Sequence, residues 1–300
     1  MSGPLLRFED GKISIGNKDL LAKSASLSYA PSLNEEKVYG DYDEDLAGAK
    51  TEFVKFAPTS GLRGKLNVSF YISPEEFAED GNPNTINRMF EIIDGMSDEP
   101  INNNLIGRYR FDNMYLTSFS FDLKPFAPVM ATASYDIYGS LKKSYSLRFN
   151  KTESNFAHGL KSFASIYSSG SSKEDFEISS LSYRIIVNRK VANRIRANES
   201  TSLWTTADGT VPFRVSTESI QKEMTIEISE MIENLNVYGD QQNVSSPENL
   251  LDSKIEAFLF SINDDRIARF SVEGKIQQQS MNISEGSYAK GSVSIKEIIK

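Results

Sequence analysis

Ser26-Leu27-Ser28-Tyr29 returns 154 residues later as Ser180-Leu181-Ser182-Tyr183, and the reading of that coincidence decides the fold. In both runs a small hydroxyl residue alternates with a larger apolar or aromatic one, the two-residue period of a half-buried strand. A single four-residue match arises easily by chance in a β-rich chain, but this one opens an ordered series. Val54-Lys55-Phe56 matches Val211-Pro212-Phe213 at an offset of 157, and Val68-Ser69-Phe70-Tyr71-Ile72-Ser73 matches Met224-Thr225-Ile226-Glu227-Ile228-Ser229 at 156. Arg110-Phe111 follows with Arg269-Phe270 at 159, then Ala131, Ala133, Ser134, Tyr135 and Ile137 with Ala289, Gly291, Ser292, Val293 and Ile295 at 158. The order never breaks, so a duplication is expected, with units at 1–150 and 151–300. Asn150–Gly159 and the Ser/Gly-rich Ser165–Lys173 place the linker within about 145–170.

Outward from these runs, the chain reads as mainly β. Short alternating or β-rich segments recur at Ser24–Tyr29, Leu62–Ile72, Met114–Leu123, Val129–Tyr138, Ile178–Val187, Val211–Ser216, Met224–Ser229, Ile255–Ile262, Ile267–Val272 and Gly291–Ile298, each bounded by Gly, Pro, Asn or Asp. Helical spacing is confined to two places. Ile86, Met89, Phe90 and Ile93 share one face of Thr85–Asp94, which Asn84 or Thr85 caps and Gly95 ends. A second helix is expected after Ser246-Pro247-Glu248, with Pro at the first helical position.

Composition removes whole classes of chemistry. The chain has 300 residues, no cysteine and one histidine, His158, so thiolate metal sites, disulfides and cysteine nucleophiles are excluded and most imidazole-based hydrolase constellations are unavailable. A net charge of −8 opposes general adhesion to nucleic acid or anionic lipid. No segment approaches the roughly 20 apolar residues of a spanning helix, and MSGPLLRFEDGK lacks a signal-peptide core. No membrane partner and no cofactor is expected.

Several local patterns have ordinary explanations. Asp41, Asp43, Asp45 and Glu52 stand at positions 1, 3, 5 and 12 of a calcium loop, but Leu46 occupies the position that needs glycine and the flanks read as strand. An acidic solvated loop is the expected structure. His158 lies beside the linker without a nucleophile near it in sequence, and Glu75-Glu76, Asp98-Glu99 and Asp264-Asp265 fall in turns. Motifs for phosphate loops, dinucleotide folds and zinc hydrolases are absent. N-x-S/T triplets such as Asn67-Val68-Ser69 read as strand chemistry.

Charge is distributed unequally between the matched halves. Arg184, Arg189, Lys190, Arg194 and Arg196 crowd one segment of the second half, while the matching segment of the first carries Glu35, Glu36, Asp41, Asp43 and Asp45. At the offset of 154, Glu35 falls on Arg189 and Glu36 on Lys190. Opposite charge at equivalent positions favours alternation of unlike halves between subunits and penalises contact of like halves. Those ten residues are therefore the expected subunit interface. Exposed pairs contribute only about 0–1 kcal/mol each, so they would orient a contact that strand surfaces supply.

The layout of each half resembles the tail tube proteins of long-tailed bacteriophages. The resemblance rests on Ser26–Tyr29 followed by the Val38–Thr59 loop, Leu62–Ser73, the Thr85–Asp94 helix, and the closing strands Met114–Leu123 and Val129–Tyr138. The second half repeats it with Ser180–Val187, the Val191–Thr210 loop, Met224–Ser229, the helix after Ser246, Ile255–Ile262, and Ile267–Gln277 with Gly291–Ile298. It implies two tandem tail-tube-like β-sandwich or barrel units, each with a short helix. It further implies a non-enzymatic virion protein whose homo-oligomer is a ring. Three duplicated chains would supply six units, and the trimeric rings would stack through the long early loops into a hollow tube. Viral DNA would cross the lumen without specific binding. The implied partners are the tape measure, baseplate and terminator proteins and, in a contractile tail, a sheath; assembly would take place in the host cytoplasm. Two alternatives are kept. Baseplate hub and other tail proteins can also pair two such units, though hubs insert domains between strands and none is evident here. A carbohydrate- or receptor-binding β-sandwich would instead use Trp204 and loop tyrosines to stack a sugar.

Overall fold

The computed structural model describes residues 13–16, 18–30, 33–39, 52–58, 63–73, 98–139, 141–143, 156–168, 174–175, 178–192, 214–228, 252–282 and 290–299. The first half contributes β1 (Ile13–Ile15), β2 (Lys18–Asp19), β3 (Ala22–Ala30), β4 (Leu33–Tyr39), β5 (Glu52–Pro58), β6 (Arg63–Tyr71), β7 (Asn104–Ile106), β8 (Tyr109–Phe111), β9 (Met114–Leu123), β10 (Met130–Tyr138) and β11 (Lys142–Lys143). The second contributes β12 (Phe163–Ser168), β13 (Glu174–Asp175), β14 (Ile178–Ala192), β15 (Arg214–Ile228), β16 (Asp252–Phe260), β17 (Arg266–Asn282) and β18 (Lys290–Ile299). The protein is mainly β. No helix occurs among the described residues, and none there is long and apolar enough to cross a membrane. Both expected helices, Thr85–Asp94 and the one after Ser246, lie outside the described residues.

Eleven strands form one antiparallel sheet in the order β13-β12-β16-β17-β18-β15-β14-β9-β10-β6-β3, and five form a second in the order β11-β8-β7-β1-β2. β4 and β5 make a separate two-stranded sheet, so part of the expected Val38–Thr59 loop is strand. β14 runs to Ala192, and β15 runs unbroken from Arg214 to Ile228, joining the described parts of two expected runs, Val211–Ser216 and Met224–Ser229. Length explains the difference, because a strand of 15 residues contains polar stretches that read as boundaries.

The strand order of one half is repeated in the other. β3-β6-β10-β9 corresponds to β14-β15-β18-β17, and β2-β1-β7-β8 corresponds to β13-β12-β16 followed by the N-terminal part of β17. Two β-bulges, each an extra residue on one strand, fix the alignment. Lys23 is the extra residue in the β3–β6 ladder and Ser179 in β14–β15; Thr117 is extra in β9–β10 and Gln277 in β17–β18. Superposing the bulges gives offsets of 156 for β3 and 160 for β9. The ladders between them then agree residue by residue. The row Leu27, Leu66, Tyr135, Leu116 becomes Tyr183, Met224, Ile295, Ile276.

That register corrects the alignment read from sequence. Leu27 corresponds to Tyr183, not Leu181, and Leu66, not Val68, corresponds to Met224. A slip of two residues leaves every side chain on its own face, so alternation alone could not detect it.

One apolar cluster runs through both halves, from Ile13 to Ile295. Its centre is an aromatic knot at the junction. Phe121 of β9 lies 5.3 Å from Tyr183 of β14 and 4.7 Å from Phe270 of β17, and Tyr183 lies 5.1 Å from Phe270. Such pairs add about 0.5–1.5 kcal/mol each beyond the area they bury. Part of the expected linker is bonded to both halves. Ala157 N–H donates to Ile72 O at 2.7 Å and Gly159 N–H to Ala127 O at 2.8 Å, while His158 N–H donates to Phe260 O at 2.9 Å.

Candidate functional site: edges and open face of the sheet

Of the ten residues expected at a subunit interface, five are described, and they fall in two places. Arg184, Arg189 and Lys190 share β14, whereas Glu35 and Glu36 lie on β4, opposite Phe56 and Lys55 of β5 in the separate hairpin. Asp41, Asp43, Asp45, Arg194 and Arg196 lie outside the described residues, as do Trp204 and the calcium-like loop before Glu52. The bulge register relates β14 to β3 only as far as Ala30, so it does not reach Glu35 and Glu36, which lie in the separate β4–β5 sheet.

Arg189 is occupied inside the chain. Its Nε donates to Leu116 O at 3.2 Å and its Nη1 to Thr217 Oγ1 at 2.9 Å, and its guanidinium lies 5.1 Å above the Tyr115 ring. Tyr115 meets Tyr138 edge to face at 5.7 Å, and Arg63 stands 5.4 Å above Tyr138. Burial pushes both phenols up, so they remain neutral rings for the cations to cover. Asp98 completes the group by accepting from Thr217 N–H at 2.8 Å and pairing with Arg214 at 3.2 Å. The Thr217 hydrogen bond, helped by Arg214, holds its carboxyl below the ordinary value. An open groove of about 640 Å³ beside them mixes Arg63, Arg189 and Lys190 with Asp136 and Glu218. Asp264, another of the paired acids, binds Lys161 at 3.0 Å, and Glu75-Glu76 lies outside the described residues. No cluster of three or more possible metal ligands occurs among the described residues.

The sheet face turned away from the core has a composition that a scan for catalytic motifs passes over. Each half carries two cross-strand rows there. In the first half they are Ser24, Ser69, Thr132, Ser120 and Ser26, Asn67, Ser134, Ser118. In the second they are Ser180, Glu227, Ser292, Ser280 and Ser182, Thr225, Ser294, Gln278. All but Asn67, Glu227 and Gln278 bear hydroxyls, several bonded to one another, as Ser69 to Thr132 at 3.2 Å, Thr225 to Ser294 at 3.1 Å and Ser280 to Ser292 at 2.8 Å. Arg184, predicted at an interface, stands beside this belt opposite Glu223. The signal was present in sequence as Ser/Thr at alternate strand positions.

The halves join through β9, the last strand of the first four, which pairs with β14, the first strand of the second four, from Leu181 opposite Leu123 to Ile186 opposite Ser118. Among the described residues the corresponding outer strands have open edges: β3 has β6 alone beside it, and β17 pairs with β16 only through Lys275. Beyond it, positions 276–282 have a ladder partner on the β18 side alone among the described residues. Tyr29 sits on β3 with its hydroxyl buried and without a hydrogen-bond partner among the described residues, and burial pushes its pKa up to about 12.

No protein-family model matches the chain, and no curated protein matches it.

Proposed function

We propose that the chain is a structural subunit that joins copies of itself head to tail into closed rings, stacked as the hollow DNA conduit of a phage-type tail. Three chains per ring would supply six tube units. The observation that carries this reading is the junction of β9 with β14. A chain that already joins two like-ordered four-strand units end to end, and leaves unlike edges on β3 and β17, is geometrically suited to repeat that joint. A heterologous contact of this kind makes rings where the rotation closes, and closure covers edges that otherwise recruit stray strands.

The hydroxyl belt suits the bore. Tight binding to a polyanion requires cations that release its counterions, and the rows contain none, with only Glu227 charged. The acidic balance of the chain adds general repulsion. The role is structural and not catalytic.

Size-exclusion chromatography followed by negative-stain microscopy of the purified protein tests the reading. Rings or tubes of threefold or pseudo-sixfold symmetry are expected. A stable monomer at high concentration, above all one that binds glycans, would overturn the assignment.

A further inference from the structure

We infer that successive copies join by antiparallel pairing of β3 in one chain with the C-terminal part of β17 in the next, in the register that β14 and β9 use internally. This rests on the ring reading and fixes which residues meet. Within the chain Tyr183 faces Phe121, Arg184 faces Ser120 and Ile185 faces Phe119. The bulges relate β14 to β3 by 156 residues and β9 to β17 by 160. Carrying both offsets across places Leu27 opposite Met281, Ser28 opposite Ser280, and Tyr29 opposite Gln279.

Two independent features agree with that placement. Both segments are strand, and both present an edge that lacks a ladder partner among the described residues. The face assignment is preserved, since Leu27 and Tyr29 pack toward the core as Tyr183 and Ile185 do, while Ser28 opposite Ser280 keeps hydroxyls on the open face.

The chain contains no cysteine, so paired thiols can report the register directly. Directly opposed residues in an antiparallel ladder have Cβ atoms about 4.5–5.5 Å apart, and a two-residue displacement moves them beyond disulfide reach. Six strands separate β3 from β17 within one chain, so a bond between them joins two chains. L27C/M281C and S28C/S280C should form interchain disulfides on mild oxidation, seen as dimer and trimer bands on a non-reducing gel. The displaced pair L27C/Q279C should form them at least about tenfold less. The Ser28 and Ser280 pair lies on the open face and keeps the readout if the core-side variant folds poorly. In the unaltered chain, amide exchange over residues 26–30 should slow on assembly. Rings or tubes whose in-register pairs cross-link no better than the displaced pair would overturn the register and leave the ring reading standing. A chain that stays monomeric, without cross-links in any pair, would overturn both.

Discussion

Tyr29 lies across Gly64 on the neighbouring strand so closely that a Cβ on Gly64 would sit 2.6 Å from two of its ring atoms. The ring takes the place of the missing side chain, covering the backbone where β3 meets the start of β6. Gly64→Ala must push the ring off the core edge, and overpacking of this sort costs about 1–3 kcal/mol. Chemical denaturation of the monomer should show the loss. Gly64→Ala combined with Tyr29→Ala should lose less than the sum of the single changes, because the two residues are in contact.

Tyr29 also gives the protein an alkaline weakness. Its folded pKa of about 12 lies above the unfolded value near 10, so between those values the unfolded chain has released a proton that the native chain keeps. Stability from this group is present below pH 10 and is lost as pH rises toward 12. Tyr29→Phe should leave stability at neutral pH unchanged or slightly raised, since the lost hydroxyl has no partner among the described residues, and should shallow the decline above pH 10. Denaturation against pH measures the effect.

The class of the fold was legible because alternation is a local signal. Register was not. Ser26–Tyr29 and Ser180–Tyr183 are the better match as letters, yet the bulges at Lys23 and Ser179 move the true alignment by two residues. An even slip changes no residue's face, and only hydrogen-bonded pairing distinguishes the two. Arg189 reads in sequence as an interface residue; its partners within the chain, Leu116 and Thr217, are remote in sequence and carry no charge that a scan for complementary groups would notice. The short strands β1, β2, β7 and β8 escaped detection because two or three residues are too few to establish a period.

Gly159 is required where the segment between the halves crosses the β9–β10 turn. A Cβ there would fall 1.8 Å from Lys124 O, a backbone atom that cannot turn aside as a side chain can. Gly159→Ala should therefore break the Gly159–Ala127 hydrogen bond and loosen the bridge between the first half and Phe260, costing about 2 kcal/mol or more. Amide exchange should rise at residues 157–159 before it rises in the centre of the sheet. Unchanged exchange there would mean that the turn moves to admit the methyl group.

Glu256 is an acid-sensitive buried group. Its side chain is 3% exposed, pairs with Lys254 at 2.7 Å and bonds Arg269. Burial alone would raise its pKa, but the two cations outweigh burial and hold it below the ordinary value. A depressed carboxyl contributes stability that is present above the unfolded pKa and lost as pH falls through the folded one. Glu256→Gln should cost about 1–3 kcal/mol at neutral pH, the range of a hydrogen bond to a charged group. The difference from the unaltered protein should close as pH falls below the carboxylate range, which acid titration of stability would follow.

The hydroxyl belt makes a prediction about what passes over it. Thr132 and Ser182 are exposed on the open face, so Thr132→Lys with Ser182→Lys should change monomer stability by no more than about 0.5 kcal/mol. If that face lines the bore, three chains would place six new cations around each ring. Each phosphate contact steepens the logarithmic salt dependence of binding by about 0.9 for duplex. Assembled tubes of the variant should retain short duplex DNA at low salt and release it steeply as salt rises, whereas unaltered tubes should retain almost none. Equal retention by both, or retention by the variant that persists after the tube ends are blocked, would place the belt on the outside of the assembly.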